Sequence, residues 1–183
     1  ETLDAQPGLT VVEILGAIDA GEIRGMFIMG ENPAMSDPDT QHARHAFAQL
    51  EMLVVQDIFL TETAMLADVV LPASAFAEKH GSFTNTDRTV QPGRPVLPLP
   101  GAARQDLALL IAMARAFDLD WSSYGEGEAA VAAVFDEMRR AMPSIAGITW
   151  QRLQQYGSVT YPCHAEGDPG EPVVFTDHFP TPS

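Results

Sequence analysis

The sequence predicts an α/β fold with a doubly wound, mainly parallel sheet. Three short apolar runs, at 25–30, 53–56 and 69–72, have the continuous hydrophobic character of strands buried on both faces. Segments with helical signals separate them, so strand, helix, strand, helix and strand follow one another within about fifty residues. This alternation is typical of parallel sheets whose crossovers are right-handed.

The first predicted segment, residues 1–24, is an N-terminal tail followed by a helix. Thr10 and Glu13 have the spacing of a capping box, in which each side chain accepts a hydrogen bond from the other residue's backbone N–H. Apolar residues then recur at helical spacing, and these are Val11, Ile14, Leu15 and Ile18. Gly21 is predicted to end the helix.

The second segment, residues 25–75, contains the three strands and is predicted to bind a cofactor. Between the first two strands, Ser36 or Asp37 together with Pro38 indicates the start of a helix that extends to Leu50. Between the second and third strands, Thr61 is predicted to cap a short helix that runs through 65.

The remaining chain divides into an irregular insertion, 76–103, and a helical segment with a C-terminal loop, 104–183. The insertion has seven glycine or proline residues and no sustained period. Helices are predicted at 104–117, with an apolar face formed by Leu107, Leu110, Ile111 and Ala114, and at 128–142, with Val131, Val134, Phe135, Met138 and Met142. A short helix at 149–156 is predicted to end at Gly157.

The charge and the cysteine content exclude several functional classes. The net charge of −15 repels phosphate backbones and anionic lipid heads, which argues against nucleic-acid and membrane partners. No apolar run approaches the ~18 residues that a membrane-spanning helix needs. Cys163 is the only cysteine, so this sequence contains neither an internal disulfide nor a cluster-binding cysteine motif. We expect Cys163 to be a small, half-buried apolar residue.

All three predicted strands end in polar segments, at 30–33, 56–57 and 72–74. Ligands of parallel sheets bind outside the carboxyl ends of the strands, so these segments predict a shallow polar crevice for a dinucleotide-like ligand. Ordinary turn chemistry of Asn, Asp, Ser and Pro is the alternative interpretation. Neither the G-x-G-x-x-G nor the P-loop motif is present.

Four segments in this order, 28–33, 54–64, 67–72 and 78–88, resemble successive signatures of the molybdopterin oxidoreductases. Further segments, at 93–96, 100–106 and 160–162, resemble the catalytic alpha subunit of soluble NAD-dependent formate dehydrogenases. The resemblance implies the Rossmann-like part of the formate dehydrogenase and DMSO reductase large-subunit fold. It also implies a molybdenum or tungsten centre held by two molybdopterin guanine dinucleotides (bis-MGD).

The resemblance identifies four cofactor-binding residues, Asn32, Ser36, Gln56 and Asp106, which would contact one guanine dinucleotide. The alternative for Asp106 is a carboxylate stabilised by a helix N-terminus. The loop 83–88 is a further signature that we expect near the cofactor. No catalytic residue and no metal ligand can be assigned, because in this family those residues and the iron–sulfur cysteines lie upstream of the matched region. The chain is therefore expected to be an internal fragment, incomplete at both ends and inactive alone.

The resemblance implies a cytoplasmic parent enzyme that oxidises formate to carbon dioxide. Its electrons would pass through iron–sulfur clusters to NAD⁺. The expected partners are the remainder of the same subunit and flavin and iron–sulfur subunits like those of NADH dehydrogenase. Two alternatives are a cofactor-free structural module, as in the large iron–sulfur subunit of NADH dehydrogenase, and another molybdopterin oxidoreductase such as an assimilatory nitrate reductase.

Overall fold

The computed structural model describes residues 5–175, which form two compact units. The first unit comprises residues 5–74 together with Pro100–Arg104. The second unit comprises Ala75–Leu99 and the chain from Gln105 onward. Both His178 and the Pro-rich end of the predicted C-terminal loop lie outside the described residues.

The first unit is built on a parallel sheet with strand order β1-β2-β3. Its elements are α1 (Val11–Asp19), β1 (Gly25–Met29), α2 (Pro33–Ser36), α3 (Thr40–Phe47), β2 (Met52–Asp57), a 3₁₀ turn (Ala64–Leu66) and β3 (Val69–Pro72). The predicted α/β class, the parallel sheet and all three strands are confirmed. Over these three strands the order runs in one direction across the sheet.

Helix α1 begins at the predicted capping box. The Thr10 hydroxyl accepts from the Glu13 N–H at 3.4 Å, and the Glu13 carboxylate accepts from the Thr10 N–H at 2.7 Å. Two backbone N–H groups at the start of the helix, which have no partner within it, are thereby satisfied. Gly21 follows the helix with φ +72°, a left-handed conformation that glycine adopts without steric cost.

The predicted helix from 36 or 37 to Leu50 is wrong at its start, because the chain forms two helices there. Pro33 begins the short helix α2, and α3 begins only at Thr40. Asp39 caps α3 by accepting from the His42 N–H at 3.0 Å. Pro38 fits poorly inside a continuous helix because it has no N–H and clashes with the preceding turn, so the break falls at 37–39.

The core of the first unit lies on one face of the sheet. Helices α1 and α3 pack there against a cluster that includes Ile28, Leu53 and Val55. The third strand stays largely uncovered, since Val69 and Val70 are 42% and 39% exposed. The expectation that all three strands are covered on both faces is therefore wrong for the described part of the chain, although β2 in the centre fits it best.

The second unit combines an antiparallel sheet, ordered β4-β5-β6, with three helices. Its elements are β4 (Gly81–Thr84), β5 (Thr89–Gly93), α4 (Asp106–Ala116), α5 (Gly127–Ala141), α6 (Trp150–Tyr156) and β6 (Val159–Thr160). The predicted helices at 104–117, 128–142 and 149–156 are confirmed to within two residues at each end. Thr149 caps α6 by accepting from the Arg152 N–H at 3.0 Å, and Gly157 ends it with φ +79°.

The expectation of an irregular segment at 76–103 is wrong in part, because a β-hairpin occupies 81–93. Its turn is closed by the Asn85 N–H, which donates to the Thr89 carbonyl at 3.0 Å, and by the Arg88 N–H, which donates to the Asn85 carbonyl at 2.9 Å. The strands of this hairpin are short, and the glycine and proline residues around them obscure the alternating pattern by which a strand is predicted from sequence. The segment after Gly157, predicted as loop, contributes the third strand, β6.

A second hydrophobic cluster stabilises this unit and contains Val90, Phe135, Ile145, Ile148, Leu153, Val159 and Cys163. Cys163 is fully buried there, so the half-buried position expected for it is wrong. Arg152 donates to its sulfur at 3.2 Å. Within residues 5–175, no helix has the length and apolar character needed to cross a bilayer.

Candidate cofactor site

Asn32 lies three residues after the end of β1 and joins two loops at the carboxyl end of the sheet. Its side-chain oxygen accepts from the Thr63 N–H at 3.1 Å and from the Thr63 hydroxyl at 2.7 Å. Its amide nitrogen donates to the Glu62 carboxylate at 2.7 Å, and this bond is the main cause that holds the pKa of Glu62 below its ordinary value. The Asn32 side chain is thus held in one orientation by the loop that follows β2.

Thr63 is the buried centre of this connection. It is fully buried, and its hydroxyl accepts from the Ala34 N–H at 3.0 Å while it donates to Asn32. Ala34 belongs to the first turn of α2, whose backbone N–H groups have no partner within the helix. Thr63 therefore fixes both Asn32 and the start of α2. Its role was not predicted from the sequence.

Gln56 is the fifth residue of the central strand β2 and is fully buried. Its backbone carbonyl accepts from the Gly30 N–H at 2.8 Å, which continues the sheet past the end of β1. Its register neighbours are Met29 and Leu71. A fully buried amide at the carboxyl end of a central strand is unusual for a purely structural position, because polar side chains are costly to bury.

Ser36 is exposed at the last position of α2 and lies at the rim of a groove of about 520 Å³. The groove is lined by α1, β1 and the segment 31–38, with Phe47 at one side. Its walls are mainly apolar, and they include Val11, Ile14, Leu15, Met26, Phe27 and Ile28. Glu31, Ser36 and Asp37 supply its polar side chains.

The loop after β2 departs from the expected polar character of the sheet edge. Asp57 stabilises it by accepting from the backbone N–H groups of Ile58 and Phe59, at 2.7 and 3.2 Å. The apolar side chains of this loop nevertheless face outward, and Phe59 and Leu60 are 72% and 70% exposed. The carboxyl edge of the sheet therefore combines the Asn32 hydrogen-bond cluster with an exposed apolar loop.

Asp106, in the second unit, is the first residue of α4 and forms an ion pair with Lys79. Lys79 is the only lysine in the chain. The two side chains are 24% (Lys79) and 27% (Asp106) exposed, and the Lys79 ammonium donates to Oδ2 of the carboxylate. A carboxylate at a helix N-terminus is also stabilised by the helix dipole, as the alternative interpretation of Asp106 expects, and its contact with a cofactor stays a prediction.

The Lys79–Asp106 pair lines a groove of about 380 Å³ in the second unit. The pair, His80, Ser82 and Gln105 supply the polar side chains of this groove. Its apolar wall consists of Leu107, Leu110, Val131, Val134, Phe135 and Met138. The stripes predicted as packed faces of α4 and α5 therefore line an open groove over part of their length.

Glu128, on α5, connects this helix to α6 and to the segment before β4. Its carboxylate accepts from the Gln154 amide at 2.6 Å and from the Trp150 indole N–H at 3.2 Å. Its second oxygen lies 3.8 Å from Nδ1 of His80. Arg94 in turn donates to the Gln154 side-chain oxygen. Lys79, His80 and Glu128 were not identified from the sequence, because only the fold brings these segments together.

Arg88, in the loop that we expected near the cofactor, joins two segments of the second unit. Its guanidinium donates to the backbone carbonyls of Tyr161, Glu171 and Pro172, at 2.7, 3.0 and 2.7 Å. Its backbone has φ +67°, which is uncommon outside glycine. These bonds fasten the hairpin turn to the segment 161–172.

His42, on α3, contacts α1. Its Nε2 lies 2.6 Å from Oδ2 of Asp19, whose other oxygen accepts from the Gln49 amide at 2.7 Å. The hydrogen bond to Asp19 raises the pKa of His42, and the same bond lowers the pKa of Asp19. Among residues 5–175, no three His, Cys, Asp or Glu side chains are grouped so as to hold a metal ion.

The fold and these residues define an α/β segment with polar groups at the carboxyl edge of a parallel sheet. A sequence model of the molybdopterin oxidoreductase family matches residues 2–116. This match covers more than half of the chain, and the chain belongs to the molybdopterin oxidoreductase family. The family predicted from the sequence motifs is confirmed.

Individual relatives include formate and nitrate enzymes. The chain is 42% identical over 181 residues to the F420-dependent formate dehydrogenase subunit alpha of Methanocaldococcus jannaschii, with 98% of this chain and 26% of the relative covered. It is 33% identical over 180 residues to the assimilatory nitrate reductase catalytic subunit of Bacillus subtilis, with 96% and 25% covered. The predicted resemblance to formate dehydrogenase alpha subunits is confirmed. The chain spans about a quarter of the length of these relatives.

A solved structure supports the fold. Acetylene hydratase from Pelobacter acetylenicus superposes with a TM-score of 0.62 at 19% identity, over 82% of this chain and 20% of that chain. At this identity the likeness shows the fold alone.

Proposed function

We propose that this chain is part of the catalytic subunit of a molybdenum- or tungsten-dependent formate dehydrogenase. The observation that carries the proposal is the 42% identity to a formate dehydrogenase alpha subunit along 98% of the chain. The parent enzyme oxidises formate to carbon dioxide, and this chain forms part of the protein around its guanine dinucleotide cofactor.

In this proposal, Asn32, Ser36, Gln56 and Asp106 contact the guanine dinucleotide of a bis-MGD cofactor. Their chemistry fits that group. Asp106 lines a groove with a carboxylate that can accept from the ring N–H and the exocyclic amine of guanine. The side chain of Asn32 is oriented by Thr63, and Gln56 is a buried amide at the end of the central strand. The metal–dithiolene centre supplies the two-electron redox chemistry when it is bound.

In this proposal, the groups that transfer electrons in the parent enzyme are bound by residues outside this chain. The only cysteine here, Cys163, is fully buried in a hydrophobic cluster, so the cysteines that hold iron–sulfur clusters are proposed to lie elsewhere in the subunit. We propose a cytoplasmic enzyme with flavin and iron–sulfur partner subunits of the NADH-dehydrogenase type, and NAD⁺ as the acceptor. Because the relative of Methanocaldococcus jannaschii is named as F420-dependent, coenzyme F420 is the second candidate acceptor.

Nitrate reduction is the second candidate activity, since the nitrate reductase of Bacillus subtilis covers nearly the same part of the chain. Its identity is 33%, compared with 42% for the formate enzyme, which favours formate. A cofactor-free structural module is the third candidate. The buried amide of Gln56 and the groove-lining Asp106 argue against that candidate, because an empty site has no need for them.

The test uses the full-length subunit purified with its partner subunits. Molybdenum and tungsten are measured by mass spectrometry, and released guanine nucleotide is measured by chromatography. The activity of the enzyme is assayed with formate and, separately, with nitrate. Bound metal with formate oxidation, coupled to NAD⁺ or to F420, is the expected result. Activity with nitrate alone would establish the second candidate, and a subunit without metal or guanine nucleotide would establish the third.

Variants of two cofactor-binding residues extend this test. Gln56→Ala and Asp106→Ala are each expected to lower cofactor retention roughly tenfold or more, because a hydrogen bond to a charged or buried group contributes about 1.5–3 kcal/mol. Arg140→Ala is the matched control, because this arginine is exposed on α5 and pairs only with Asp136 and its backbone among the described contacts. Unchanged metal content in both variants would contradict the assignment of these residues.

A further inference from the structure

We propose that Lys79 and Asp106 act together as the reader of the guanine base, with the Lys79 ammonium donating to O6 of guanine. This inference rests on the proposed function, since it takes the ligand at Asp106 to be a guanine nucleotide. It adds Lys79, which lies in the signature segment 78–88 but received no role from the sequence, as a specificity-determining residue.

The first support is the position of the pair. Both side chains line the same groove, and each keeps about a quarter of its surface exposed. A base in this groove can therefore reach the pair, and the apolar side chains of Leu107 and Leu110 line the groove as well. Hydrogen bonds to charged groups are stronger where water is partly excluded.

The second support is the order of donors and acceptors. Lys79 donates to Oδ2 of Asp106, so the pair presents an ammonium donor, then Oδ2, then Oδ1. The Watson–Crick edge of guanine presents an acceptor, O6, followed by two donors, the ring N1–H and the exocyclic N2–H. The two series match at three positions. An ammonium has three N–H donors, so Lys79 can donate to O6 and keep its bond to Asp106.

Other bases match the pair less well. Adenine carries one donor beside one acceptor on this edge, cytosine carries one donor beside two acceptors, and uracil has a single donor between two acceptors. Each of them can form two of the three bonds. Guanine alone among the common bases has two adjacent donors beside an acceptor, so the pair selects guanine by an additional charge-assisted bond.

The experiment separates the O6 contact from a general effect of charge. The full-length subunit, prepared from cells that cannot supply the cofactor, is titrated calorimetrically with GMP, with 6-thio-GMP and with AMP. The thio analogue keeps both N–H donors but replaces O6 by sulfur, a weaker acceptor. The variants are Lys79→Met, Lys79→Arg as the conservative replacement, and Arg115→Met, which removes a charge from the other end of α4.

The expected result is a loss of GMP affinity in Lys79→Met that is much larger than the loss of 6-thio-GMP affinity. Wild-type protein binds GMP more tightly than 6-thio-GMP and AMP. Lys79→Met weakens GMP binding about tenfold or more and 6-thio-GMP binding much less, because a charge-assisted bond to O6 is lost only with GMP. Lys79→Arg keeps a donor and restores most of the preference, and Arg115→Met leaves all three affinities unchanged.

Two results would overturn the proposal. Equal weakening of GMP and 6-thio-GMP in Lys79→Met would show that Lys79 acts only through charge or folding. Wild-type protein that does not bind GMP at millimolar concentration, or does not prefer it to AMP, would also refute base reading by this pair. If Lys79→Met does not fold, the affinities of the wild-type protein decide, because equal binding of GMP and 6-thio-GMP would refute the O6 contact. The proposed function is judged separately, by metal content and formate oxidation of the holoenzyme.

Discussion

Replacement of the buried Thr63 by valine is expected to loosen the loop that holds Asn32. Valine has nearly the same shape as threonine but lacks the hydroxyl, which accepts from the Ala34 N–H and donates to Asn32. The variant therefore removes two hydrogen bonds at a site with no exposed surface while it conserves packing. We expect the start of α2 to become less stable and the Asn32 side chain to be held less firmly in its orientation.

The expected loss of local stability is the sum of the hydrogen-bond energies that Ala34 and Asn32 lose. Ala34 is fully buried, and a buried N–H without an acceptor costs about 1–3 kcal/mol. Asn32 keeps its bond to the Thr63 N–H, so the lost hydroxyl bond costs it only about 0.5–1.5 kcal/mol. The local opening free energy should fall by about 1.5–4.5 kcal/mol, which corresponds to roughly 10- to 1,600-fold faster exchange of the Ala34 amide hydrogen.

Hydrogen–deuterium exchange of the peptide that covers 32–36, in the full-length subunit, measures this effect. Thr63→Ser is the matched control, because it keeps the hydroxyl and loses one buried methyl group, at about 1 kcal/mol or roughly fivefold in exchange. If Thr63→Val and Thr63→Ser exchange at the same rate, the hydroxyl does not anchor α2. The assignment of Thr63 as the support of Asn32 would then be wrong.

Two further predictions concern stability. Gly147→Ala should destabilise its unit by about 1–3 kcal/mol or more in thermal unfolding, because an added Cβ would lie 2.2 Å from the Ala165 carbonyl oxygen. Gly16→Ala should instead stabilise by about 0.5–1 kcal/mol, because this helical position has open space around an added Cβ. The His42–Asp19 bond raises the pKa of His42 and lowers that of Asp19, so its stabilisation is complete below the ordinary imidazole pKa of 6.5 and is lost as the pH rises through the raised value. It is also lost in acid, as the pH falls through the lowered carboxyl pKa. The melting-temperature difference between wild type and His42→Gln should therefore shrink above neutral pH; a difference that grows there would contradict the bond's role.

Much of the fold could be predicted because its signals are local. The capping box at Thr10 and the glycine after α6 are decided by residues within one turn, and both appear as expected. The β-hairpin was missed because its strands, only four and five residues long, lie among glycines and prolines. The start of α3 was misplaced because Pro38 is compatible with the first position of a helix, whereas the cap by Asp39 begins α3 only at Thr40.

The supporting residues of the candidate site could not be predicted, because their partners are distant in the sequence. Thr63 is 31 residues from Asn32, and Lys79 is 27 residues from Asp106. No periodicity links such positions. A threonine inside a short loop and a single lysine become informative only when the sheet and helix α4 place them beside a polar group that the family resemblance had already identified.

These partners change what cofactor binding requires of the protein. An exposed, mobile asparagine or aspartate loses rotamer freedom when it binds a ligand, and this loss weakens binding by about 0.5–1.5 kcal/mol per immobilised side chain. Thr63 orients Asn32 and Lys79 orients Asp106, so much of that loss occurs during folding instead. Variants of Thr63 and Lys79 should therefore lower cofactor retention even where the proposed cofactor-binding residues, Asn32 and Asp106, are unchanged. Thr63 would act only through Asn32, whereas Lys79 would act both through Asp106 and by its own bond to the base.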